Sequence, residues 1–209
     1  MTSLNFNRAP YFRFAVFAFL LLFISCKQGK PSDSSESGGD NQLVSVFQRI
    51  PSNHSGINFE NNIAEDLSTL ENLFNFDYFY NGAGVGVEDL NKDGLLEVVF
   101  SGNQVNNRIF INQGDMVFKD ISETAGINQG KNWTNGITFA DVNSDGWMDI
   151  YFSQGGPHSR LDRKNLLFII QKDGSFSEEA ETYGLADMGI STQSAFFDMD
   201  NDGDLDCIV

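Results

Sequence analysis

Three stretches of nine residues hold closely spaced acidic and amide side chains that can bind a hard metal ion. They are residues 89–97, 141–149 and 198–206, and they begin 52 and 57 residues apart. Each has Asp at position 1, Asn or Asp at position 3, Asp at position 5, Gly at position 6 and Asp or Glu at position 9. Calcium takes about six to eight oxygen ligands. The spacing therefore predicts one calcium ion in each loop.

The predicted ligands are the side chains at positions 1, 3, 5 and 9, and the backbone carbonyl at position 7 can add another. Glycine at position 6 suits a sharp turn with positive φ. Asp, Asn and Gly also form ordinary turns without metal, but the threefold repetition favours the metal site. The predicted side-chain ligands are Asp89, Asn91, Asp93 and Glu97; Asp141, Asn143, Asp145 and Asp149; and Asp198, Asp200, Asp202 and Asp206.

The pattern differs from the EF-hand, which opens with the same D-x-[DN]-x-[DN]-G sequence. An EF-hand needs Glu at position 12 and a helix on each side. Position 12 here is Phe100, Phe152 or Val209. The flanking residues favour strands, so the EF-hand is excluded.

Short strands are predicted on both sides of each loop, because aromatic and β-branched residues there are bounded by Gly, Asn and Asp. About four strands fall in each unit of some fifty to sixty residues, which is typical of β-propeller blades. We predict an all-β fold of four-stranded antiparallel blades with calcium loops. A propeller needs about four to eight blades, whereas about two and a half are present, so we expect a truncated C-terminus. The predicted strands are 85–88, 98–100, 108–112, a segment around 118, 137–140, 150–152, 165–169, a segment around 176, 194–197 and 207–209.

The D-x-N-x-D-G-x-x-D loop between strands resembles the FG-GAP/VCBS repeat family, whose blades occur in the integrin α-subunit propeller. Residues 81–89, 196–206, 47–59 and 118–127 are similar to a bacterial lipoprotein subgroup often found with an ASPIC/UnbV domain. The resemblance covers about residues 43–209. It implies a calcium-loop propeller with ligands at positions 1, 3, 5 and 9, although Glu97 departs from the commoner Asp.

The N-terminal region is typical of an exported protein. Residues 14–24 are an apolar run of about eleven residues, too short for a membrane helix, which needs about twenty. With Arg8 and Arg13 before it, this run predicts a signal peptide over 1–25. Cys26 follows a small residue and resembles a lipobox cysteine, so we predict lipidation there; an ordinary secretory signal is the alternative.

Residues 26–42 are predicted to form a flexible tether, because 27–42 contain no apolar residue. The expected location is therefore the outer membrane or the cell surface, with membrane contact through the lipid anchor only. Whether the anchor faces the periplasm or the cell exterior stays open.

The charge and the motifs bear on the function class. A net charge of −16 argues against nucleic acid as a partner. His54 and His158 are isolated from each other, and neither HExxH nor G-x-S-x-G occurs. We expect a non-enzymatic binding or adhesion module for an extracellular protein or polysaccharide. The alternative is a scaffold portion of a larger polysaccharide-active enzyme whose catalytic part lies outside these residues.

Overall fold

The structure, a computed structural model, describes residues 47–127, 133–157 and 159–209. The predicted signal peptide, Cys26, the tether and His158 lie outside the described residues. Within the described part of the chain, no helix has the length and apolar character needed to cross a membrane.

The strands form where short runs rich in β-branched, aromatic and other apolar residues lie between turns, and they assemble into three antiparallel sheets. The first two sheets have four strands each, in the order of the chain, and the third has two. This arrangement confirms the predicted all-β fold and is consistent with partial propeller blades. The first sheet contains β1 (Val85–Glu88), β2 (Glu97–Phe100), β3 (Arg108–Asn112) and β4 (Phe118–Asp120). The second contains β5 (Thr134–Ala140), β6 (Asp149–Gln154), β7 (Leu166–Ile170) and β8 (Phe176–Glu178). The third contains β9 (Ala195–Phe197) and β10 (Asp206–Ile208).

Helical structure among the described residues is short. Helix α1 (Ser52–Ser55) precedes the first sheet, and Gly56 ends it with a φ of 75°. A 3₁₀ helix (Arg160–Arg163) lies between β6 and β7. It falls in a stretch that the first repeat lacks, which accounts for the greater length of the second repeat.

The first two sheets share one hydrophobic core. Val99 and Ile109 from the first sheet pack in the same buried cluster as Ile150, Phe152 and Phe168 from the second. Full burial of each such side chain stabilises the fold by about 1.5–3 kcal/mol. The shared core therefore holds the two repeats together as well as each sheet.

Close approach of β1 to β5 depends on a glycine. A Cβ atom added to Gly86 would lie 2.6 Å from Cε2 of Phe139 and 3.1 Å from Cγ2 of Ile137. These distances are too short for a larger side chain without movement of the β5 residues. Gly86 therefore lets the first strands of neighbouring repeats pack directly.

Two smaller clusters complete the packing. Tyr151 and Phe196 meet edge to face with ring centroids 5.5 Å apart, which joins the second sheet to β9. Trp133 packs with Phe76 and Phe79, and this cluster anchors the segment that precedes β1. The tryptophan is almost fully buried, as expected for a packing role.

Candidate metal-binding loops

Each acidic loop is the turn of a β-hairpin. The paired residues at the hairpin ends are Glu88 with Glu97, Ala140 with Asp149, and Phe197 with Asp206. Position 9 is therefore the first residue of the second strand in every repeat. It lies across the hairpin from the residue that precedes position 1, so the ladder brings the two ends of the loop together.

The same backbone kinks recur in all three loops. Position 4 has a left-handed φ of 61° at Lys92, 56° at Ser144 and 61° at Asn201. The glycine at position 6 also has positive φ, between 85° and 94°. Left-handed residues reverse the chain direction, and non-glycine residues adopt them only where the surroundings require it. The loops therefore curl around the side chains of positions 1, 3 and 5.

Hydrogen bonds fix these side chains in the first loop. Oδ1 and Oδ2 of Asp89 accept from the N–H groups of Asp93 and Gly94, at 3.2 and 3.0 Å. Oδ1 of Asn91 also accepts from the Asp93 N–H, at 2.9 Å. Oδ1 of Asp93 accepts from the Leu95 N–H, at 2.8 Å. The oxygens at positions 1, 3 and 5 are thus held on the inner side of the loop.

The second loop repeats this network. Asp141 accepts from the N–H groups of Asp145 and Gly146, at 3.0 and 2.8 Å. Asn143 accepts from Asp145 at 3.0 Å, and Asp145 accepts from Trp147 at 2.8 Å. Two loops with different residues at positions 2, 4, 7 and 8 therefore share one shape.

The carboxylates at position 9 are buried in the first two loops. Glu97 is 0% exposed and Asp149 is 1% exposed. Oδ2 of Asp149 accepts from the Val142 N–H at 3.1 Å, and Oδ1 accepts from the Ile170 N–H at 2.9 Å. Glu97 makes the equivalent bonds to the N–H groups of Leu90, at 2.7 Å, and Asn112, at 3.4 Å. Position 9 therefore ties the start of each loop to the end of the third strand, a role that the sequence analysis missed.

Burial also changes the acidity of these groups. Removal from water raises the pKa of Asp149 from its ordinary 3.8 to about 6, although the hydrogen bonds from Ile170 and Val142 act in the opposite direction. Burial likewise raises the pKa of Glu97. Desolvation disfavours an ionised carboxylate, whereas a nearby cation favours it. A bound metal ion would therefore stabilise the charged form of both groups.

The third loop brings three carboxylates together. Asp198, Asp200 and Asp206 each present an oxygen, and these oxygens lie within 4.8 Å of one another. That separation is short enough for one metal ion to contact all three. Backbone N–H groups also hold two of them, since Gly203 donates to Asp198 at 3.2 Å and Met199 donates to Asp206 at 2.8 Å.

Asp202, the predicted ligand at position 5, lies outside this trio. Its Oδ1 accepts from the Asp204 N–H at 3.1 Å. Hydrogen bonds from Asp204 lower the pKa of Asp202, and the side-chain hydrogen bond to Asp202 raises the pKa of Asp204. The carboxylate at position 5 therefore accepts from the N–H of position 7 in the third loop, as it does in the first two.

The donor chemistry of all three loops fits a hard divalent cation. The inner atoms are carboxylate and amide oxygens, with no sulfur or imidazole among them. Hard cations such as calcium prefer oxygen ligands, and calcium tolerates irregular geometry better than magnesium. The ligand assignment at each position stays a prediction.

Comparison with known protein families supports the repeat that the sequence predicts. Residues 76–152 match the family model of the FG-GAP-like repeat. These residues include the whole first sheet and the first two acidic loops. This match confirms the resemblance to FG-GAP repeats. Such repeats are typical of protein-binding or adhesion modules, and they are typically non-catalytic.

Two curated relatives are distant and much longer. Cartilage acidic protein 1 of Xenopus tropicalis is 26% identical over 121 residues, which are 57% of this chain and 18% of the relative. Cartilage acidic protein 1 of Homo sapiens is 31% identical over 81 residues, which are 38% of this chain and 12% of the relative. The chain therefore spans less than a fifth of the length of these relatives.

Proposed function

We propose that this chain, in which residues 76–152 carry FG-GAP-like repeats, is an exported calcium-binding protein that binds an extracellular protein or polysaccharide. The observation that carries the proposal is the shape shared by the acidic loops. The first two have one hydrogen-bond network, and the third gathers three carboxylates within reach of one ion. Oxygen-only loops of this kind favour calcium over softer metals.

Calcium has a structural role in this proposal. The ion is held by the side chains at positions 1, 3, 5 and 9 of each loop, and it neutralises carboxylates that otherwise repel one another. It thereby closes the hairpin at one end of every repeat. Because position 9 also binds the third strand in the first two repeats, closing the loop stabilises a whole sheet rather than a turn. A ligand that binds only the folded state adds its binding free energy to the stability of that state.

The experiment that tests calcium binding compares thermal unfolding of the full chain with calcium, with magnesium and with EDTA. We expect calcium to raise the melting temperature well above the EDTA value, and magnesium to have a smaller effect. Calorimetric titration of the EDTA-treated protein should show binding of calcium. Melting curves that coincide in calcium and EDTA, together with no binding heat, would overturn the proposal.

The binding role rests on the repeat family and on charge. FG-GAP-like repeats typically serve as binding modules, and a net charge of −16 is unsuited to polyanions such as nucleic acids. Screening glycans and extracellular proteins in calcium, with the EDTA-treated protein as the control, should yield a ligand that binds only with calcium. Hydrolysis of a screened polysaccharide by the purified chain would instead support an enzyme.

Export as a lipoprotein is the remaining part of the proposal, and it rests on the apolar run 14–24 and on Cys26. We expect the protein made in a bacterial host to carry a diacylglycerol at Cys26 and to partition into detergent. Cys26→Ser should abolish the acyl mass and the partitioning. Protease treatment of intact cells separates a surface location from a periplasmic one.

A further inference from the structure

We propose that Lys92 is a positioning residue for the neighbouring loop at 141–149, and that the loops at 89–97 and 141–149 bind cations cooperatively through it. The proposal rests on the calcium function proposed above. It adds to that function a coupling between two sites in different repeats, which the loop sequences alone do not contain.

The contact runs from position 4 of the first loop to positions 6 and 7 of the second. Nζ of Lys92 lies 4.7 Å from the centroid of the Trp147 ring. A Cβ atom added to Gly146 would lie 3.3 Å from the same nitrogen. An ammonium group above an indole face is attracted by the negative face of the ring. The lysine of one repeat therefore docks on the metal loop of the next.

Trp147 passes this contact on to the second loop. The backbone N–H of Trp147 donates to Oδ1 of Asp145 at 2.8 Å, so the residue that carries the ring also orients the carboxylate at position 5. The ring packs against the hydrophobic core shared by the two sheets. The indole ring is therefore held by the core and by the ammonium group of Lys92. Because the ring is held, the backbone of Trp147 is held in the loop as well.

The position of Lys92 depends in turn on the first loop. A left-handed φ of 61° is unfavourable for lysine, so the loop must hold it there. The next residue, Asp93, provides the restraint, because its N–H donates to the oxygens of Asp89 and Asn91. Order at positions 1 and 3 of the first loop therefore determines where the ammonium group lies.

Cooperativity follows because the contact between Lys92 and Trp147 joins a residue of the first loop to a residue of the second. A cation that orders the first loop places Lys92 over Trp147, and the second loop then has less conformational entropy to lose when it binds. Linkage makes the effect equal in both directions. Direct repulsion between the ammonium group and a cation in the second loop has the opposite sign. The sign of the measured coupling therefore separates the two effects.

The junction between the second and third loops is an internal control. Position 4 of the second loop is Ser144 and position 7 of the third loop is Asp204, so that junction has neither the cation nor the ring. Coupling of this kind is expected between the first and second loops, and not between the second and third.

The test uses terbium as a luminescent substitute for calcium, because a nearby tryptophan excites bound terbium. Emission that depends on the second loop is identified as the part lost in Asp145→Asn. We expect Asp93→Asn, which disables the first loop, to weaken terbium binding at the second loop about threefold. In a Lys92→Met background the same change should have no effect, whereas Lys92→Arg should preserve the coupling. Asp202→Asn, at the same position of the third loop, is the matched control and should leave the second loop unchanged.

A second measurement covers the case in which Asp93→Asn does not fold. Calcium titration of the otherwise native chain should be cooperative, and Trp147→Leu, which copies Leu95 of the first loop, should remove the cooperativity. Absence of terbium and calcium binding in the native chain would overturn the calcium function itself. Binding with no coupling, with coupling of the opposite sign, or with equal coupling in Lys92→Met would overturn this inference and leave the calcium function standing.

Discussion

Oδ1 of Asp149 accepts a hydrogen bond from the backbone N–H of Ile170 at 2.9 Å, and this joins the end of the second acidic loop to the last residue of β7. Glu97 has the same relationship to Asn112, the last residue of β3. The carboxylate at position 9 thus belongs to the metal loop and to the sheet at once. This double role leads to the first two predictions.

Two replacements of Asp149 should separate the contribution of its hydrogen bonds to stability from the contribution of its charge. Asp149→Ala leaves the buried N–H group of Ile170 and the partly buried N–H group of Val142 without their acceptor, and each such loss costs up to about 1–3 kcal/mol. Asp149→Asn keeps an oxygen acceptor and removes the charge that burial opposes. In EDTA below about pH 4, where Asp149 of the native chain is also uncharged, we expect the Asn variant to be as stable as the native chain and the Ala variant to be clearly less stable.

Urea denaturation in EDTA and in calcium measures both effects. Both variants should lose most of the stabilisation that calcium gives at the second loop. Equal stability of the two variants in EDTA would show that the backbone hydrogen bonds contribute little.

The stability of the calcium-free protein should depend on pH through Asp149. Its pKa is about 6 in the folded protein against an ordinary 3.8, so the folded state holds the proton more tightly. The resulting stabilisation is fully present below about pH 4 and is lost as the pH rises through about 6. Comparison of the native chain with Asp149→Asn in EDTA, between pH 4 and 7, isolates this contribution. As the pH rises, the unfolding free energy of the native chain should fall relative to that of Asp149→Asn. A difference between the two that does not change with pH would contradict the prediction.

Two equivalent asparagines should differ in their contribution to stability. Oδ1 of Asn107 accepts from the Gly102 N–H, and Oδ1 of Asn165 accepts from the Gln154 N–H. Nδ2 of Asn165 also donates to Tyr151 and Ser191, both at 2.9 Å, whereas within the described residues Nδ2 of Asn107 has no partner.

We therefore expect Asn165→Ala to cost about 1–3 kcal/mol more than Asn107→Ala, since it breaks two further buried hydrogen bonds. Chemical denaturation of the two matched variants tests the difference. An equal loss would mean that the additional bonds of Asn165 do not stabilise the fold.

The third loop should bind calcium most tightly. It has five carboxylates where each of the other loops has three, and ligand charge raises calcium affinity. The trio of Asp198, Asp200 and Asp206 is already gathered. Calorimetry should show that Asp200→Asn weakens the tightest site on the order of tenfold, while Asn91→Ala affects a weaker site. A tightest site that is insensitive to Asp200→Asn would contradict this ranking.

The strands were predictable because their signals are local. The predicted segments 85–88 and 108–112 coincide with β1 and β3, and the other predicted strands agree to within a few residues. Runs rich in β-branched and aromatic residues favour extended backbone wherever turn residues bound them. The hairpin position of each loop followed from the same signals, because a short loop between two strands makes them antiparallel neighbours.

Some features of the loops could not be predicted, because they depend on contacts between distant residues. Position 9 was assigned to metal alone, because its partners Ile170 and Asn112 lie on another strand. The sequence near position 9 does not indicate which backbone N–H group of a distant strand its buried carboxylate will meet.

The sequence by itself determined the repeat, the strands and the oxygen chemistry of the loops, since these depend on residues a few positions apart. The tertiary structure decided which side chains meet across repeats. It placed Lys92 on Trp147 and Gly86 against Phe139, in contacts between residues about fifty positions apart. The physical reason is that backbone preference acts locally, whereas burial and close packing are settled only when the sheets come together.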